Sequence, residues 1–174
     1  FAPQGMPERT RSLRRFLWLP ALFCRGFFWR RLFRHVWVLH GKAVGGGSVV
    51  YANTLLVPPE KVWRSGTWAL LRDWAAEMPE HYRTAEKMLG VTTNPLLADA
   101  DYMLKKLADE AGVGGSFYRT RVAVYFGADD EHAQPQQQGD PYFAGKGPAR
   151  APCIGCGGCM VGCRHRAKNS LDYN

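Results

Sequence analysis

The chain has 174 residues, of which 46 % are hydrophobic and 22 % charged. That length and balance fit a folded globular domain with a real core and exclude a disordered polymer. The net charge of +8 comes from 23 basic and 15 acidic residues, and no apolar run approaches the ~20 residues that a membrane-spanning helix needs.

The basicity is local. Eight arginines (Arg9, Arg11, Arg14, Arg15, Arg25, Arg30, Arg31 and Arg34) fall between positions 9 and 34 with no acid among them, and the fifteen basic residues left match the fifteen acids. Residues 1–12, with Pro3, Gly5 and Pro7, read as a loop or linker. Residues 13–35 interleave Phe16, Trp18, Phe23, Phe27, Phe28, Trp29 and Phe33 with arginine. The favoured reading is two short elements on a core, with arginine stems reaching outward. Contact with an anionic membrane surface comes second, and nucleic acid is not expected. Pro20 and Gly26 decide that order by breaking the amphipathic pattern.

Residues 36–39 read as a buried strand that stops at a glycine-rich turn, Gly41-Lys42-Ala43-Val44-Gly45-Gly46-Gly47-Ser48. Three glycines in a row remove every Cβ from a short length of backbone, so a flat or charged ligand can approach the main chain. Their N–H groups can converge on an anion, more strongly if a helix begins at Ser48. A turn that merely lets two elements pack closely stands level with the ligand cradle.

Pro58-Pro59 ends regular structure after 54–57. Residues 68–89 have a helical pattern interrupted at Pro79, with 80–89 as a separate helix closed by Gly90. Trp74, Tyr82 and Met88 are expected in the core. Asn94-Pro95 marks a turn, and 97–111 forms an amphipathic helix ended by Gly112. Residues 119–126 alternate as a strand, and 129–146, with Gln136, Gln137 and Gln138, form a polar surface loop. His35, His40, His81 and His132 are scattered and make no metal or catalytic set.

Cys153, Cys156, Cys159 and Cys163 follow the spacing C-x2-C-x2-C-x3-C, with Gly155, Gly157, Gly158 and Gly162 between them. That is the run that ligates four-iron clusters in bacterial ferredoxins, although Arg164 stands where those have proline and a second run is missing. The order is a 4Fe-4S cluster, then no metal, then a structural zinc. Clustered cysteines with no visible signal peptide point to metal or redox chemistry and to the cytoplasm. Cys24 reads as a small buried hydrophobe. The start at Phe1 and stop at Asn174 suggest a piece of a longer protein.

Two of these segments together, 40–52 and Cys153 to Cys163 with the Lys168-Asn169-Ser170-Leu171-Asp172 tail, resemble the glucose–methanol–choline (GMC) flavoprotein oxidoreductases, in the cholesterol-oxidase-like branch. The resemblance implies an α/β fold, α+β within this stretch: part of a flavin-binding Rossmann-like domain and part of a substrate domain. It implies the arginine–aromatic and flavin-contacting segments in 1–60, part of the substrate domain in 61–128, a surface loop in 129–152, and the cysteine loop returning to the flavin domain in 153–174.

It also implies that flavin adenine dinucleotide (FAD) takes a hydride from an alcohol, often a sterol or another bulky apolar one, and passes electrons to oxygen or another acceptor. The implied cofactor-binding residues are Gly41, Val44, Gly45, Gly46, Gly47, Ser48, Val50, Tyr51, Ala52 and Asn53. Ala43 stands where the family usually has glycine, so its methyl would crowd the turn if its φ were positive. Tyr51-Ala52 replace an Asn-Gly pair. The nucleotide fingerprint would lie upstream and the catalytic histidine beyond Asn174, so this stretch alone should not catalyse. An electron-transfer or binding module built on the cysteine loop is the alternative.

Overall fold

The computed structural model describes residues 13–127 and 140–173. The linker 1–12 with Arg9 and Arg11, His132 and the three consecutive glutamines lie outside the described residues. The described residues have mixed α+β character, with three small two-stranded antiparallel sheets and two helices longer than one turn.

The arginine–aromatic stretch breaks up further than expected. A one-turn helix α1 (Leu13–Phe16) precedes strands β1 (Trp18–Leu19) and β2 (Cys24–Arg25), with a 3-10 turn Pro20–Leu22 between them. A hairpin follows, of β3 (Phe28–Leu32) against β4 (Trp37–Gly41), in register Trp29 to His40 and Leu32 to Trp37. The turn closes with the Phe33 N–H donating to Val36 O at 2.8 Å. Aromatic and β-branched residues make it a strand pair, so the predicted strand at 36–39 forms one position later. It is not buried: Leu32 is 83 % exposed and Trp37 64 % exposed. The sheet has only two strands, and no described element covers either face of its outer end.

Inward, Phe16, Phe27 and Val49 form one small core, with Phe28, Ala43, Val50 and Val161 packed against it. Cys24 is buried, as its isolation in the sequence implied. Gly26 sits where a Cβ would overlap the backbone of Arg15 and Phe16.

Helix α2 (Glu60–Trp63) starts directly after Pro59. Helix α3 (Trp74–Met88) contains Pro79 instead of ending at it. The missing N–H removes one bond to the carbonyl four residues back, but Pro79 lies on the solvent side and the helix continues. Asp73 caps its start by accepting from the Ala76 N–H. Gly90 (φ +55°) stops it: Val91 N–H donates to Glu86 O and Gly90 N–H to Lys87 O, the pairing that satisfies trailing carbonyls at a left-handed helix end. Of the expected core residues, Trp74 and Tyr82 are half-buried and Met88 is exposed, because α3 packs along one narrow side only.

Asn94 makes the predicted turn by accepting from the Leu96 N–H at 3.0 Å. Helix α4 (Asp99–Glu110) stops at Gly112 (φ +72°). Its apolar stripe of Met103, Leu104 and Leu107 stays exposed. No described helix is long and apolar enough to cross a membrane.

The second core is built on the predicted strand at 119–126. Its regular part is β6 (Arg121–Val122), paired with β5 (Thr92–Thr93). Val124 then bridges Lys168 antiparallel, and Tyr125 N–H and Asn169 N–H exchange bonds with Ala167 O and Ala123 O. Val122, Val124 and Ala167 are the centre of this core, with Phe126, Cys153 and Cys163 around them. The described end of the polar loop is not simply surface. Asp140 is buried and accepts from the N–H groups of Tyr142, Phe143 and Gly147.

Gly90 and Gly112 share one backbone conformation in different surroundings. A Cβ on Gly90 would come within 2.6 Å of Asn169 Nδ2 and Tyr142 Cε1, whereas one on Gly112 would meet nothing within 4 Å. Gly112→Ala should cost ~1 kcal/mol for the left-handed backbone alone, and Gly90→Ala about 3 kcal/mol or more. Denaturant midpoints measure both; equal losses would show that the Gly90 neighbours give way freely.

Candidate functional site

The glycine turn is set by its own backbone. Gly41 ends β4 where a Cβ would lie 2.5 Å from Gly46 O, so only glycine lets the strand meet the turn. Gly45 has φ +89°, and Ser48 closes the loop by donating from Oγ to Gly45 O at 2.6 Å. The segment Gly46–Val49 is a single 3-10 turn that ends at Val50. No helix therefore starts at Ser48, and a helix dipole aimed at a ligand is not part of the site. Ala43 has no positive φ and its methyl packs on the Phe16–Phe27–Val49 core. The feared crowding is absent.

The turn has two sides. On one, a Cβ built on Gly45 would touch Asp172 Oδ1 at 3.0 Å and Asp172 N at 3.1 Å, and Ser48 Oγ accepts from the Leu171 N–H at 2.9 Å. On the other, Cβ atoms built on Gly46 and Gly47 would meet nothing within 4 Å. Bare backbone therefore faces open space while the 168–172 tail holds the turn from behind. This is the geometry that a flat or anionic group needs in order to lie against main chain.

Lys168 joins the two segments. It is 1 % exposed. Its ammonium donates to Val49 O at 2.7 Å, Cys159 O at 2.8 Å and Tyr51 O at 3.2 Å, and lies 4.9 Å from the centre of the Tyr51 ring. Tyr51 returns the link by donating from its hydroxyl to Asn169 O at 2.9 Å. Behind Lys168, buried Arg150 donates to Lys168 O and lies over the Tyr173 ring.

Burial sets the proton affinities. Desolvation lowers the Lys168 pKa to about 8, opposed by the charges of Cys159, Cys163 and Asp172. Desolvation raises Tyr51 to about 12, with Cys159 adding to the rise. Cys159 is also raised, mainly by burial, against a hydrogen bond with the Asn53 side chain and the Lys168 charge. Asn53 reaches that position with φ +63°, a left-handed conformation that asparagine tolerates better than most residues.

The remaining predicted cofactor-site residues are placed less specifically. Val44 and Ala52 are exposed, and Val50 packs on the first core. His40 packs beside Trp29 in the hairpin, and its Nδ1 lies 3.4 Å from Gly41 O at the start of the turn.

The cysteine loop departs from its expected use. Cys153, Cys156, Cys159 and Cys163 do line one cavity, with His165 and Lys168. That cavity measures about 20 Å³, room for about one water and far too little for a four-iron cube. Among the described residues, no group of three or more His, Cys, Asp or Glu side chains is placed to hold a metal ion. Cys156 points outward, Cys153 Sγ accepts from the Gly155 N–H, and all four thiols are free. This arrangement supports neither an iron–sulfur cluster nor zinc, and it lends no support to a cysteine-loop electron-transfer module. Sequence reasoning also missed His165 and the central place of Lys168. The Lys-Asn-Ser-Leu-Asp tail was the available signal.

The match to known proteins runs along essentially the whole chain. Over 163 residues, 94 % of the chain, it is 54 % identical to a protein of Acinetobacter baumannii named cholesterol oxidase. Over all 174 residues it is 45 % identical to a Mycobacterium tuberculosis protein of the same name. The chain is thus similar in sequence to proteins named cholesterol oxidase. It spans about 30 % of the length of these curated relatives. No family model matches it, and no solved structure does.

Protonation of Lys168 should be visible in stability. An unfolded lysine keeps a pKa near 10.5, and the folded value is about 8. Between those values the unfolded chain binds the extra proton, so the lysine's contribution raises stability as pH increases. Thermal unfolding from pH 7.5 to 10.5 should show the wild type gaining on Lys168→Met. A constant difference across that range would contradict the lowered pKa.

Proposed function

We propose that this chain forms part of the flavin site of a GMC-type oxidoreductase acting on the CH–OH group of an alcohol, a sterol or another bulky apolar one. The observation that carries the reading is the bare, braced backbone at Gly46 and Gly47: open on one face and held on the other by the 168–172 tail. Relatives named cholesterol oxidase support the substrate class. The reading makes the chain part of a Rossmann-like flavin domain together with part of a substrate domain.

In this reading the main chain of Gly45, Gly46, Gly47 and Ser48 lies against the pyrophosphate and ribityl chain of FAD. Val50, Tyr51, Ala52 and Asn53 line the approach to the flavin ring, with Gly41 and Val44 shaping the turn. Flavin supplies hydride acceptance from the alcohol carbon, and the electrons leave to oxygen or another acceptor. The chain's own residues bind and orient. None is given proton abstraction: Tyr51 holds its proton up to about pH 12, and the His40 ring packs on Trp29 in the hairpin.

Gly47 gives a direct test, because a side chain there meets nothing in this chain and the backbone is not left-handed. In the full-length protein Gly47→Leu should leave the melting temperature nearly unchanged and weaken flavin binding by about tenfold or more. The wild type should be yellow, with its flavin bands bleached anaerobically by an alcohol substrate. A folded wild type without flavin, or a Gly47→Leu protein that binds flavin as tightly, would overturn the reading.

A further inference from the structure

Lys168 has three N–H donors, and all three are used on backbone carbonyls drawn from two separate stretches of chain. Val49 and Tyr51 flank the end of the glycine turn, and Cys159 opens the 3-10 turn Cys159–Val161 of the cysteine loop. No donor remains for a ligand, so this ammonium acts on the site only through what it holds. Residue 159 is therefore linked to the 49–53 segment through its carbonyl, by way of Lys168. Arginine could not replace the lysine, because its planar fork does not direct three donors from one point.

We infer that Lys168 is a positioning residue for the flavin-contacting backbone, and that it joins the cysteine loop to that backbone through the Cys159 carbonyl. What the 49–53 backbone touches rests on the flavin reading above. The bracing stands on the distances in this chain. It gives the cysteine loop a role that requires no metal: the loop is the far support of the turn.

The test uses the full-length protein with its bound flavin, as wild type, Lys168→Met and Lys168→Arg. Amide hydrogen exchange at 49–53 should be faster by about tenfold in Lys168→Met, and faster to a smaller degree in Lys168→Arg, with 122–124 unchanged. The flavin absorption bands should shift in both variants, a signature that loss of general stability would not produce. Unchanged exchange and unchanged bands in a folded Lys168→Met protein would overturn the inference and leave the flavin reading standing. If that variant does not fold, Lys168→Arg decides by the same measurements. A wild type without flavin would sink the flavin reading alone, because the exchange measurements would still report whether Lys168 braces the turn.

Discussion

A buried ammonium surrounded by three carbonyls is the constraint on which the rest of this site depends. Removing a lysine charge from water is costly unless its donors are all satisfied. Here the cost is offset by acceptors that have no regular partner of their own, because a one-turn 3-10 segment leaves carbonyls free at its end. Each side solves the other's problem. The glycine turn gains a fixed shape without a following helix, and Lys168 gains a place in the interior. Because the two partners are about 120 residues apart in sequence, neither segment could hold this form alone.

The antiparallel bridge of Val124 with Lys168 makes the arrangement possible. Residues 167–169 lie as a short extended piece against 123–125, so alternate side chains point to opposite faces. Lys168 is directed towards the glycine turn and Asn169 towards Gly90, where its Nδ2 donates to the Gly90 carbonyl. The stop of α3, the second core and the candidate site are thereby fixed by three consecutive residues. Ala167 fills the core, Lys168 braces the turn and Asn169 touches the helix end.

Local features were the legible ones. Gly90 and Gly112 as helix stops, the Asn94 turn, the strand around 122–124 and the fragmented arginine–aromatic stretch follow from backbone chemistry that acts over a few residues. What depends on tertiary context was less legible. Residues 36–39 carry the apolar pattern of a buried strand, and whether such a strand is covered depends on neighbours that its pattern does not name. The same holds for Met88 and the α4 stripe. Pro79 shows the opposite error: a local rule forecast a break that an exposed helix face tolerates. The pairing of the glycine turn with the 168–172 tail was visible only as a resemblance to one family, because no spacing rule joins positions so far apart.

The four cysteines show why spacing alone decides so little. C-x2-C-x2-C-x3-C makes convergence of thiolates possible, but the curvature of the loop decides whether it happens. Here the loop is held at both ends by other demands: Cys153 N–H donates to Tyr125 O at 2.8 Å, and the Cys159 carbonyl is held by Lys168. Between those anchors Gly155 and Gly157, both with φ +67°, turn Cys156 to the solvent. Cys153 and Cys163 serve as apolar packing for the second core, and Cys159 faces Asn53. The run whose spacing matches a ferredoxin's here supplies one carbonyl, that of Cys159, to the buried Lys168 ammonium.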